Sequence, residues 1–238
     1  MSAVDDLIDK YYSDVPMGER ALETTIREFM ATTAIRALDA GCGLDAPFTR
    51  RLSGRSFIVG MDLCRDLPKD LPVICGDLGK LPFSDEVFSL VFSRSVFEHL
   101  TEPDLVMKEI YRTLKPGGVC VILTPSRYDY SSIIAHLTPQ WFHQWFVGRV
   151  YGSHTYDTFP TVYRANTPKY FSRLEQKQPG WKVKRLTGLR HYPANLIFSR
   201  MLFRVGVLYD WFVAKIGWTE LQPSLLIVLE KESQAEQR

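Results

Sequence analysis

The 238-residue chain is short of several things that would direct its reading elsewhere. Its four cysteines, Cys42, Cys64, Cys75 and Cys120, lie at wide, irregular gaps, so the sequence encodes neither a CxxC metal or redox pair nor a disulfide framework. It also lacks a dominant charge. Lys+Arg 29 against Asp+Glu 27 leave a formal +2, and no basic stripe stands out, which argues against nucleic acid as a partner. Lys182, Lys184, Arg185 and Arg190 read as a solvated strand face. The most apolar stretch, Ala194 to Ile216, is interrupted by Arg200, Arg204, Asp210 and Lys215, whereas a spanning helix needs roughly 20 apolar residues in a row. At the N-terminus, Asp5, Asp6 and Asp9 stand where an export signal carries basic residues and then an apolar core. A cytoplasmic protein in a reducing compartment is the expectation. Repeats, low-complexity tracts and clear linkers are missing too, so residues 1–238 are expected to form one domain.

What is present is ordinary globular material, 45% hydrophobic and 24% charged. Short apolar runs bounded by Gly, Pro and Asp recur at Ile35–Asp39, Ser56–Asp62, Val73–Asp77, Phe88–Ser93 and Val119–Thr124, the pattern of strands buried on both faces of a parallel sheet. Helical patterns lie between and before them at Glu19–Thr32, Phe48–Leu52 and Pro103–Leu114. The alternation predicts an α/β, doubly wound fold. Beyond Pro125 the chain becomes aromatic, with Trp141, Phe142, Trp145, Phe146 and Tyr151, before strand-like patterns return at Trp181–Leu186 and Leu225–Leu229. The expected organisation is N-terminal helices over 1–34, a cofactor-binding core over 35–126, an acceptor cap over 127–180, and C-terminal strands with an apolar helical insertion over 181–238.

The chemistry-bearing residues fall at the carboxyl ends of the first strands, where open parallel sheets bind ligands. Asp39-Ala40-Gly41-Cys42-Gly43 closes the first strand with two glycines that allow a tight turn and close approach of a ligand. Asp45, two residues before Pro47, is expected to cap the next helix. Asp62 ends the second strand, placed to accept both hydroxyls of a ribose, and Asp77 ends the third. A dinucleotide site calls for G-x-G-x-x-G, but Leu44-Asp45-Ala46 follow Gly43 and no third glycine arrives. Asp39 and Asp45 would repel a diphosphate and favour a cationic nucleoside such as S-adenosylmethionine.

In order along the chain, Leu38-Asp39-Ala40-Gly41-Cys42-Gly43, Gly60-Met61-Asp62, Gly76-Asp77-Leu78 leading to Leu81-Pro82-Phe83, Phe88 to Ser93 with Glu98-His99-Leu100, and Leu114-Lys115-Pro116-Gly117-Gly118 resemble the motifs of the class I S-adenosylmethionine-dependent methyltransferases, in particular the ubiquinone/menaquinone-type and small-molecule group. The resemblance spans roughly residues 35–126 and implies a Rossmann-like, mostly parallel seven-stranded sheet with a helical and aromatic cap after strand five. It also implies S-adenosyl-L-methionine as cofactor, held by Asp39, Gly41, Cys42, Gly43, Asp62, Leu63, Asp77, Leu78 and Ser93. Lys115 to Gly118 are expected only to turn the chain into a strand.

Methyl transfer is an in-line displacement that needs positioning and exclusion of water, with no metal. His99, after strand four, is the candidate base, and Glu98 a candidate contact to cofactor or acceptor. His136, His143, His154 and His191 lie outside the matched core, and His136–Gly152 read either as an apolar acceptor pocket or as a cap completing the core. Residues 195–218 fall where the family usually has a short hairpin. They fit internal packing, a homodimer contact, a lid over the acceptor or peripheral contact with a membrane surface. The expected activity is methyl transfer to a small, apolar or lipid-linked acceptor at O, C or N. A catalytically silent scaffold of the same fold is the alternative, and a nicotinamide oxidoreductase is disfavoured by the missing glycine.

Overall fold

The computed structural model describes residues 4–15, 17–31, 35–54, 56–130 and 160–233. Helices α1 (Asp5–Tyr12) and α2 (Gly18–Met30) lead into β1 (Arg36–Ala40), α3 (Pro47–Leu52), β2 (Phe57–Asp62), β3 (Val73–Cys75), β4 (Phe88–Arg94), α4 (Pro103–Thr113) and β5 (Leu114–Pro125). The short helices α5 (Pro168–Ser172) and α6 (Leu174–Lys177) precede β6 (Trp181–Leu189), α7 (Arg200–Ile216) and β7 (Ser224–Lys231).

The seven strands form one sheet in the order β3-β2-β1-β4-β5-β7-β6. β1 to β5 run parallel, and β7 is antiparallel to both β5 and β6. Continuous apolar runs suit strands covered on both faces. β4 is accordingly buried from Leu90 to Ser93, and β5 from Gly118 to Thr124. On one face Leu38, Val91, Ile110 and Ile122 pack with Phe171 and Trp181; on the other, Leu22 and Ile26 of α2 and Phe48 of α3 cover Ile58, Leu90 and Val121.

Lys115 to Gly118 do turn the chain, as a bulge inside β5. α4 passes directly into the strand at Leu114, and the register jumps from Phe88↔Leu114 to Leu90↔Val119. Gly117 takes φ +75°, and a Cβ on Gly118 would lie 2.8 Å from the Lys115 carbonyl oxygen, so the bulge requires glycine there.

Where the resemblance implies a short β6–β7 hairpin, residues 190–223 stand between the two strands. Here α7, 17 residues long, packs through Phe203 and Val207 onto Val4, Leu7 and Tyr12 of the N-terminal segment. Burying Phe203 fully contributes roughly 1.5 to 3 kcal/mol to this attachment. A buried polar triad adds to it: the Tyr12 hydroxyl donates to Asp210 Oδ2 at 3.1 Å, and Arg190 Nε donates to the same oxygen at 2.8 Å. Arg190 therefore does not belong to a solvated strand face, whereas Lys184 does, paired to Glu230 at 2.7 Å. No helix among the described residues is long and apolar enough to cross a membrane. Most of the expected cap, with His136, His143, His154, Trp141, Phe142, Trp145, Phe146 and Tyr151, lies outside the described residues.

Candidate active site

The glycine loop is zipped to the second strand. Gly41 and Cys42 both donate their backbone N–H to the Met61 carbonyl, at 2.8 and 3.1 Å. The Asp62 carboxylate completes the connection: Oδ2 accepts from the Gly43 N–H at 2.8 Å and Oδ1 from the Cys64 N–H at 3.1 Å. Each oxygen of an ionised carboxylate has two acceptor directions, so Asp62 is fixed by the backbone yet keeps capacity for two more donors. That is the requirement of a ribose diol.

The two glycines of the loop differ in role. A Cβ on Gly41, at φ +82°, would lie 2.1 Å from Val96 Cγ2, so this glycine makes room for the β4–α4 loop. Gly43, at φ +74°, has nothing within 4 Å of that position and opens onto free space beside Asp62. Gly43 is the place where a ligand can approach the backbone.

Asp39 is buried beneath the loop, and its Oδ2 accepts the Thr49 N–H at 3.2 Å and the Thr49 hydroxyl at 2.9 Å. Burial pushes its pKa up to about 6, against the lowering effect of the Thr49 donors and the Arg94 charge. Asp39 thus supplies the α3 cap expected of Asp45. The residue at the cap position itself is Ala46, in a left-handed conformation with φ 42°, and Asp45 is exposed. With a carboxylate already on its first turn, α3 offers no seat to a diphosphate. The donor set thus fits a nucleoside with a cationic substituent, and argues against a dinucleotide.

The remaining expected ligands differ in exposure. Asp77 is exposed and accepts the Gly79 N–H through Oδ1 at 2.8 Å; Leu78 is buried and Leu63 exposed. Cys42 is buried and its thiol is pushed up to about 12 by burial, which leaves it a packing group. Ser93, also buried, has an Oγ without a hydrogen-bond partner among the described residues.

Glu98 and His99 do sit together after β4. Glu98 is buried and accepts from the Thr124 hydroxyl at 3.2 Å; burial raises its pKa. Asn166 Nδ2 donates to the Thr124 oxygen and to the Pro125 carbonyl at 3.0 Å. Thr124 and Asn166 are 42 residues apart and belong to none of the motifs read from the sequence, so nothing there signalled this chain of contacts. His99 Nδ1 lies 3.2 Å from the Pro160 carbonyl, and Nε2 lies 3.9 Å from Glu98 Oε1. A carbonyl only accepts, so the contact with Pro160 calls for a proton on Nδ1.

A cleft of about 870 Å³ runs between α1 and α2 and the ends of β4 and β5. Tyr12, Met17, Arg94, Leu123, His191 and Ser224 line it. Arg94 pairs with Glu19 and stacks on Phe48 with 5.5 Å between its guanidinium carbon and the ring centre. No cluster of three metal-ligating side chains exists among the described residues.

Known proteins agree with this architecture. A family model described as a methyltransferase domain matches residues 38–122. A ubiquinone/menaquinone biosynthesis C-methyltransferase UbiE from Neisseria meningitidis is 41% identical over 69 residues, covering 29% of this chain and 28% of its own. The chain thus spans under a third of that relative's length. Among solved structures, an S-adenosylmethionine-dependent methyltransferase from Mesorhizobium loti superposes with a TM-score of 0.58 at 16% identity, covering 90% of this chain and 97% of that one. A geranyl diphosphate methyltransferase, in complex with GPP and sinefungin, gives 0.56 at 12% identity, covering 90% and 77%. Sheet order and these matches show the class I methyltransferase fold, with a methyltransferase domain matched over residues 38–122. The match to UbiE from Neisseria meningitidis is confined to 69 residues.

Proposed function

We propose that the protein transfers a methyl group from S-adenosylmethionine to a small acceptor with a substantial apolar part, lipid-linked or otherwise greasy, at oxygen, carbon or nitrogen. The observation that carries this reading is Asp62, anchored by Gly43 and Cys64 and able to accept two further hydroxyls next to the open face of Gly43. When bound, the cofactor supplies an electrophilic methyl on a sulfonium. Gly43 gives it close access to the backbone, Asp62 holds the ribose, and Asp77 with Leu78 meets the adenine edge. Asp39 and Asp62 make the surroundings of the loop negative, which suits a cation.

The acceptor is proposed to bind beside Glu98 and His99 after β4; the cleft beside Arg94 is a separate feature whose lining carries Asp9, Glu19, Arg20, Glu23, Arg27 and Arg51 along with apolar side chains. An apolar acceptor also accords with the quinone pathway in the UbiE relatives' name and with the geranyl diphosphate of the structural neighbour. His99 is the proposed base, taking the acceptor proton on Nε2 with the Pro160 carbonyl orienting the ring. Nothing in the geometry favours the silent scaffold. The reading is tested by incubating the protein with methyl-labelled S-adenosylmethionine and the lipid extract of its source cells. Label in an organic-soluble product supports it; label confined to the aqueous fraction counts against a greasy acceptor.

A further inference from the structure

α7 is amphipathic in an unusual sense, because its inward face carries the acid and its outward face the apolar residues. Phe203, Gly206, Val207, Asp210 and Val213 point inward, with Asp210 neutralised by Arg190. At about 100° per residue, Met201, Val205, Leu208 and Phe212 form the opposite stripe. They are 77%, 55%, 66% and 57% exposed, and Ile216 and Trp218 extend the apolar surface past the helix end. Arg204, Trp211 and Lys215 run along one edge of that stripe, with the Lys215 ammonium 4.7 Å from the centre of the Trp211 ring. Every exposed charge on α7 is basic. Arg200 is committed to Asp6 at 2.7 Å, so Arg204 and Lys215 are the charges presented outward.

We propose that α7 is a membrane-docking helix that lies in the plane of an anionic lipid surface. Its apolar stripe would enter the acyl boundary, Arg204 and Lys215 would meet lipid phosphates, and Trp211 and Trp218 would sit at headgroup level. The charge pattern favours this occupant, because the basic edge complements lipid phosphates, whereas a second copy packed face to face and antiparallel would bring two basic edges together. The inference stands on α7 alone and does not depend on the methyl-transfer reading.

The test is co-sedimentation of the full chain with vesicles of phosphatidylcholine, or of equal parts phosphatidylcholine and phosphatidylglycerol, compared with Leu208→Glu/Phe212→Glu and Arg204→Glu/Lys215→Glu. The wild type is expected to pellet with the anionic vesicles. The apolar double variant should lose binding to both compositions. The charge variant should lose about fivefold or more of its affinity for anionic vesicles per charge replaced, and little for phosphatidylcholine. Because these side chains are exposed, thermal melting should match the wild type and confirm folding. A wild type that stays in the supernatant with both vesicle types overturns the proposal. A stable wild-type dimer that Leu208→Glu dissociates, without vesicle binding, overturns it in favour of a second copy.

Discussion

Asp39 and Thr49, ten residues apart, are joined twice: one carboxylate oxygen accepts both the backbone N–H and the side-chain hydroxyl of the threonine. The pair ties the end of β1 to the first turn of α3 beneath the glycine loop, and it buries a carboxylate whose pKa is about 6. A raised carboxyl pKa means that the folded state binds the proton more tightly than the unfolded chain, whose value is near 3.8. Stability from this group therefore increases as pH falls from about 6 towards 4. Asn at position 39 keeps an oxygen acceptor for Thr49 and no longer titrates. Urea unfolding at several pH values should show that Asp39→Asn removes roughly 2 to 3 kcal/mol of pH-dependent stability from that window. Parallel wild-type and variant curves would show that Asp39 does not titrate there.

The two loop glycines should respond unequally to alanine. Gly43→Ala meets only the left-handed backbone penalty, about 1 kcal/mol. Gly41→Ala adds the collision with Val96 and should cost about 2 to 4 kcal/mol. Val96→Ala in the same chain should restore the steric part and leave the backbone part. Thermal or urea midpoints measure all three, and equal losses at the two glycines would contradict the packing described.

Much of this arrangement was legible in the sequence because it is local. The run Ile35–Asp39 became β1, and the other short apolar runs became strands to within a few residues, since burial on both faces leaves a direct mark. Gly43 and Asp62, read separately in the sequence as ligand contacts, are joined by a hydrogen bond. The Asp45 cap did not form, because a buried carboxylate from the preceding strand reaches α3 first. Thr124 and Asn166 become neighbours only once the chain has folded back over β5. In α7 the apolar content was plain, but which side faces outward depends on Asp210 finding Tyr12 and Arg190, both distant in sequence.

His99 offers a kinetic test. His99→Ala should lower methyl transfer by about 10²- to 10⁴-fold and leave cofactor affinity nearly unchanged, as expected for loss of a general base. Full activity in the variant would return His99 to orienting the chain at Pro160.

The central claim, that Gly43 and Asp62 form a nucleoside site for S-adenosylmethionine, is tested most directly by calorimetric titration with S-adenosylmethionine, S-adenosylhomocysteine and NADH, repeated on Asp62→Ala. Saturable binding of the first two, none of NADH, and a loss of about 1 to 3 kcal/mol in the variant are expected. The variant's far-ultraviolet spectrum should stay that of the wild type, so that the loss reports the site. Binding of NADH, or unchanged affinity in a folded Asp62→Ala, would contradict the account.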